Sequence, residues 1–471
     1  MSDQKESLLS ENLNHSSKIN LMEQKQSTYS LGLAVIGAMF FIFGFATTFI
    51  ITLSAKVKEV FELSEFKAQL ITSAFFIAYP LLSIPSGYII KKIGYKTSLI
   101  AGLVLMAVGS FLFFPAASIP SYPLFLTATF VLASGVVMLQ VAANPYATAL
   151  GPAETASGRL NMVQALNSVA TMVAPWVISV VVFKGTAQML DVAARAQTVK
   201  MPFVVMGVLV IIIALIILAI RLPEITSESG GEVRKSVWKY PHVLLGAFGI
   251  FMYVGAEVGN AGLIVNYLRL PENGGLSVEV ASRFASIYWG GAMIGRFFGA
   301  VMLSDIKSAA RKYMFLAGIL VLALLSGAFV TDWHWKYGAF FLIIGLINVI
   351  IMHIGVGKDT RTLAVFAGVA ALLALTTAFT TGQVALWTVV SIGFFNSVMF
   401  PNIFSLGVKD LQKGELSKAS GIINSLILGG AIIPLIMGKI ADTAGYSWAF
   451  IVPAISYIYI MFFALKGSQI R

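Results

Sequence analysis

Runs of mostly apolar residues recur along the chain, separated by short polar breaks. A helix needs about 20 such residues to cross a bilayer. Runs that qualify begin near Leu31, Ala68, Thr97, Pro123, Arg159, Met201, Val243, Phe284, Tyr313, Tyr337, Thr362, Gln383, Ala419 and Trp448. They predict an all-α polytopic membrane protein of about 14 transmembrane helices. Residues 1–29 are polar and lack the apolar core of a cleavable secretory signal, so they read as a disordered cytoplasmic tail.

The breaks divide the chain. A charged, Gly- and Ser-containing linker over 222–241 follows the sixth run. It separates an N-terminal six-helix half, residues 30–221, from a C-terminal half, residues 242–471. The second half holds eight runs, and its surplus is simplest as an inserted helix hairpin over 313–355. That pair has few polar groups, Asn348 and His353 being the exceptions, so it is expected to pack outside a twelve-helix core.

Composition supports this reading. The chain is 58% hydrophobic and 11% charged, where a soluble protein carries about 25% charged residues. It has no cysteine, and its four histidines lack ligand spacing, so no metal site or cofactor is expected and no enzyme chemistry. The net charge of +11 is no sign of nucleic acid once Lys and Arg are mapped onto the breaks. With the N-terminus inside, 21 of the 32 fall in inner segments, 10 in outer ones, and Arg296 lies within a run. This bias places both termini in the cytoplasm, with the lipid bilayer as the chain's surroundings.

The polar residues at membrane depth are the candidate chemistry. Glu257, in "YVGAEVGNAGL", is the one carboxylate near the middle of a run. A charge there costs roughly 2.5–3.5 kcal/mol even on mild insertion scales, so it is expected to face a cavity, pair with a cation or hold a proton. Gly255, Gly259 and Gly262 predict close helix packing beside it. Arg296 either snorkels or bridges to another helix. Gln140 and Asn144 share a helix face, as do Gln164 and Asn167. Asn260, Trp289 and Asn396 complete the expected substrate-binding set. Amides both donate and accept, and rings stack on the apolar face of a pyranose, which suits a neutral polyhydroxylated solute. Pro145, in "LQVAANPYATALGP", predicts a helix bending beside a wet cavity.

Gly87, Lys91 and Gly94, in "GYIIKKIGYK", form a glycine–charge–glycine turn expected to act as a gating loop, and "GKIADTAGY" echoes it at Gly438–Tyr446. The first copy resembles the loop signature of the major facilitator superfamily, with Lys91 where Asp is usual. The long stretches around Gln140–Asn167, Glu257, Arg296, Asn396 and Asp442 are similar to the fucose:proton symporter family, which includes bacterial glucose/galactose transporters. The resemblance implies a major facilitator fold and uptake of a neutral monosaccharide such as glucose, galactose or fucose across the inner membrane by alternating access. Alternatives are a uniporter, a cation-coupled carrier of another neutral solute such as an amino sugar or polyol, or a non-transporting sugar sensor. The family's two coupling carboxylates match Ile51 and Gln140 here, and the first-span amide of the glucose/galactose branch is missing among Thr47, Thr48, Ile50 and Ile51. Glu257 is therefore the expected coupling residue, for a proton or sodium ion, with fucose-type proton coupling weakened or absent.

Overall fold

The computed structural model describes residues 2–150, 156–183, 192–220, 239–302, 306–355, 359–411 and 413–469, with side chains from Leu31 on apart from a few beside the gaps. Most of the linker expected over 222–241 lies outside them. Residues 2–29, expected as a disordered tail, instead continue the first helix at its N-terminal end. The described residues form helices joined by short turns, as a bilayer requires of a chain whose backbone groups must bond internally.

In the first half these are α1 (Ser2–Val60), α2 (Glu65–Phe76), α3 (Ala78–Ser118), α4 (Tyr122–Ala149), α5 (Ala156–Val177), α6 (Val192–Gln197) and α7 (Lys200–Ala219). The second half has α8 (Pro241–Arg269), α9 (Val278–Met302), α10 (Ala309–Val330), α11 (Trp335–Gly355), α12 (Asp359–Phe379) and α13 (Gly382–Asn396). It continues with α14 (Met399–Gly407), α15 (Lys413–Ser425), α16 (Gly429–Ala444), α17 (Tyr446–Ala449) and α18 (Ile451–Leu465).

Among the described residues, eleven helices are long and apolar enough to cross a membrane, or twelve with α13 and α14 taken as one bent span. The expected count is higher for two reasons. The stretch Glu65–Ser118 counts once, yet its 54 residues would extend roughly 80 Å as one helix. At Gly94 it breaks, with φ 77° and ψ 167°, a conformation open to glycine. Helix α9 has the 25 residues needed but carries Glu279, Arg283 and Arg296, which set it apart from the apolar eleven.

Proline acts differently at different sites. Pro145 lies inside a continuous α4, and Pro175 precedes a wider π-helical stretch, Ile178–Phe183. Pro401 sits in the first turn of α14, where a missing N–H leaves no bond unmade. The α13–α14 axis bends by 41° there. Helix α8 is the most enclosed span, 83% buried, while α10 and α11 are only 28% and 33% buried and lie at the edge. His353 is exposed, but Asn348 is fully buried and donates to Phe394 O at 3.3 Å, so the hairpin is anchored into the bent span.

Candidate functional site

Helix α8 carries two faces. On one, a Cβ added to Gly255 would lie 2.3 Å from Ile433, and one on Gly259 2.4 Å from Met437, so α16 packs directly on its backbone. On the other, Tyr253, Glu257 and Asn260 follow one another at helical spacing. The Tyr253 hydroxyl donates to Glu257 Oε1 at 2.7 Å and lies 3.2 Å from Asn396 O. Tyr288 of α9 donates to Glu257 O at 2.9 Å, and Asn396 Nδ2 donates to the Tyr288 hydroxyl at 2.8 Å. Tyr457 of α18 donates to Asn396 Oδ1 at 2.8 Å and accepts from Asn260 Nδ2 at 3.1 Å. Four helices thus share one buried polar network.

Arg296 does not snorkel. Its Nη1 donates to Ser168 Oγ of α5 at 2.8 Å, and its Nη2 stands 4.0 Å from Glu257 Oε1. The guanidinium therefore spans the seam between the halves beside the only carboxylate in the network.

The other expected residues fall into three groups. Asn396 is fully buried with its amide nitrogen and oxygen both engaged by tyrosines, so it organises the network rather than presenting a free amide. Asn167 is turned into the first half: its Nδ2 donates to Phe40 O at 2.9 Å, and a Cβ on Gly44 would lie 2.2 Å from it. Gln140 donates to the Tyr79 hydroxyl at 2.8 Å. Asn144 Oδ1, Asn260 Oδ1 and Trp289 Nε1 are buried with no hydrogen-bond partner. Gln164 is exposed, one turn from Asn167, and stands apart from the Glu257 network. Lys91 is exposed, Gly94 breaks the helix, and nothing lies within 4 Å of a Cβ on Gly87.

Sequence reasoning missed a second cluster, at the end of the fold where α1 meets α2. Glu65 is fully buried. Its Oε2 accepts from Lys58 Nζ at 2.9 Å, Tyr446 at 2.6 Å and Asn266 at 3.0 Å, and its Oε1 accepts from Gln69 at 2.8 Å. Asp442 of α16 caps the start of α2, accepting from the backbone N–H of Glu65 at 2.7 Å and of Phe66 at 2.9 Å. A carboxylate there meets the positive end of the helix dipole. Ser73 donates to Ala431 O at 2.6 Å, and Ser282 to Pro175 O at 2.8 Å. These bonds join the two halves; the Glu65 and Asp442 contacts seal this end, and Ser73 ties α2 to α16 deeper in the fold. The "GKIADTAGY" echo therefore lies at the opposite end of the fold from Gly87–Gly94, with Asp442 as its working residue. Lys56 and Arg283 belong to the ten cations assigned above to outer segments, yet Lys56 is fully buried with its Nζ 5.8 Å from the Phe183 ring, and Arg283 is 9% exposed within α9.

Residues 35–358 match the model of the Major Facilitator Superfamily. The chain is 39% identical to a glucose/galactose transporter of Brucella abortus over 94% of its own length and 96% of that protein's. It is 28% identical to the L-fucose-proton symporter of Escherichia coli K12, covering 94% of each. The structure of that organism's fucose:proton symporter, FucP, superposes with a TM-score of 0.62 at 26% identity, over 94% of this chain and all of that one. The chain belongs to the major facilitator superfamily, and it is a transporter, not an enzyme.

Proposed function

We propose that this transporter carries a neutral monosaccharide of the hexose or deoxyhexose class by alternating access between its two halves. One observation carries the reading: the Glu257–Tyr253–Asn396–Tyr288–Tyr457–Asn260 network at mid-membrane, with the buried acceptor Asn260 Oδ1 and the buried donor Trp289 Nε1 left without partners beside it. Asn144 Oδ1 adds an unpaired acceptor in the first half. Buried polar atoms are costly unless paired, and a hydroxyl-rich ligand offers donors and acceptors to all three. Apart from Arg296, already engaged, the network holds no cation for an anionic substrate. The names of the two relatives, one a glucose/galactose transporter and one a fucose–proton symporter, support the same substrate class.

Glu257 is the coupling residue in this reading. Ile51 and Gln140, at the positions of the family's coupling carboxylates, hold no proton, and Gln140 is committed to Tyr79. Charged, Glu257 attracts Arg296, which also holds Ser168 of the other half. A proton or sodium ion on the carboxylate would weaken that attraction and loosen the seam. With both termini in the cytoplasm of an inner membrane, the sealed end faces outward and the sugar site opens inward.

The test is uptake of a panel of labelled sugars into proteoliposomes, with imposed proton or sodium gradients. Saturable flux of a hexose or 6-deoxyhexose, competed by its epimers, is expected. Specific binding with no flux would make the protein a sensor. Flux of an amino sugar or polyol in preference to hexoses would replace the substrate class. Flux indifferent to either gradient would make it a uniporter and remove Glu257 from coupling.

A further inference from the structure

The inserted hairpin α10–α11 belongs to the second half by sequence, yet it touches the first. The Phe329 ring of α10 lies 5.0 Å from the Trp176 ring of α5. Between them runs α9, whose Gly290 is wedged: a Cβ there would meet Met172 of α5 at 3.1 Å and Phe341 of α11 at 3.2 Å. The junction of α5, α9 and α10 holds a half-open apolar pocket of about 190 Å³, lined by Val169, Met172, Trp176, Met293, Leu322 and Phe329. The three helices therefore meet with a gap between them.

The polar contacts at the sealed end of the same seam involve the hairpin directly. Arg283 of α9, its side chain 11% exposed, donates through Nε to Ser179 Oγ of the first half at 3.0 Å. Its Nη2 pairs with Glu279 at 2.9 Å, and its Nη1 pairs with Asp332 in the hairpin turn. That turn is an unusual one. Asp332 and Trp333 take φ of 54° and 61°, a region sparsely populated by residues other than glycine. The left-handed pair reverses the chain between α10 and α11 at the point where the Asp332 carboxylate meets Arg283.

We propose that the inserted hairpin is a clamp on the seam between α5 and α9. Asp332 is a positioning residue that holds Arg283 on Ser179, and Phe329 holds Trp176. Together they bias the protein toward the state in which this end is shut. The two contacts lie in the path that must open for the site to face the other side. The inference rests on the alternating-access reading above, and it assigns a role to the hairpin that a twelve-helix core does without.

The chain contains no cysteine, so spin labels can be placed cleanly in the full-length protein. Ile119→Cys and Thr381→Cys put one exposed label on each half at the sealed end. Distances are read in proteoliposomes without sugar, against Glu65→Gln, which weakens the main seal. Asp332→Asn and Phe329→Ala are each expected to raise the longer-distance population about threefold, the scale of one partly exposed ion pair or contact. Asp332→Glu should restore the parent distribution, which a change of mere turn stability would not do. If Glu65→Gln lengthens the distance and neither hairpin variant does, the clamp is refuted and alternating access stands. If no variant, including Glu65→Gln, moves the distance, alternating access itself fails and the clamp falls with it.

Discussion

Among the buried carboxylates of the described residues, Glu65 and Glu257 stand in opposite conditions. Glu65, at the sealed end, accepts from Lys58, Tyr446, Asn266 and Gln69, so both of its oxygens are engaged. Glu257, at mid-membrane, has one tyrosine hydroxyl on Oε1 and a guanidinium at 4.0 Å, beyond hydrogen-bond reach. A saturated carboxylate has little to gain from a new partner, and its network rigidifies what it joins. An under-partnered one can exchange an arginine for a cation or a ligand at small cost. The first arrangement suits a seal, the second a site that changes state within each cycle.

The comparison breaks most visibly at Glu65. Glu65→Ala leaves Lys58, Gln69 and Asn266 facing a void, and removing one partner of a buried pair costs about 3 kcal/mol. The expected outcome is a large shift toward a state open at that end, read as solvent accessibility of a cysteine placed at Ala68, which is fully buried beside the cluster and makes none of its bonds. An unchanged accessibility would show that the seal lies elsewhere.

Around Glu257 the effect is smaller and falls on ligand binding. Tyr457→Phe strands Asn396 Oδ1 and Asn260 Nδ2, at about 1–3 kcal/mol. Sugar KM should rise about tenfold with the protein still folded. A KM that stays put would place the sugar away from this network.

The smallest effect belongs to the hairpin's anchor. Asn348→Ala removes a 3.3 Å bond to Phe394 O beside the bend of α13 and α14. A long neutral hydrogen bond is worth about 1 kcal/mol or less, so thermal stability should drop slightly while transport persists. A loss of transport equal to that of Tyr457→Phe would make the hairpin part of the sugar site.

Much of this was readable in the sequence, for physical reasons that also mark its limits. Apolar runs announce helices because hydrocarbon permits little else. Glu257 stands out because it is a charge where charge is expensive, and Gly255 and Gly259 signal the α16 contact beside it. Glu65 carries no such mark: it sits at a span end, where a carboxylate is ordinary, and its four partners come from α1, α2, α8 and the start of α17. Lys56 and Arg283 look like loop cations for the same reason. Asn396 and Asn167 were legible as polar groups at depth, but not as amides already engaged by Tyr288, Tyr457 and Phe40. Periodicity tells which face a residue occupies, not what faces it. The kinked Glu65–Ser118 stretch was legible as two spans because Gly94 follows a basic turn.

The central claim is that Glu257, and no other buried acid, couples sugar movement to an ion. Glu257→Gln keeps the shape and one acceptor for Tyr253 while removing the charge that faces Arg296. The direct measurement compares, in the same proteoliposomes, sugar accumulation under an imposed proton or sodium gradient with sugar exchange at equilibrium. The variant is expected to exchange sugar at a rate near that of the parent but to accumulate none above the outside concentration. Accumulation equal to the parent's would contradict it and leave Glu257 as a structural or sugar-binding group.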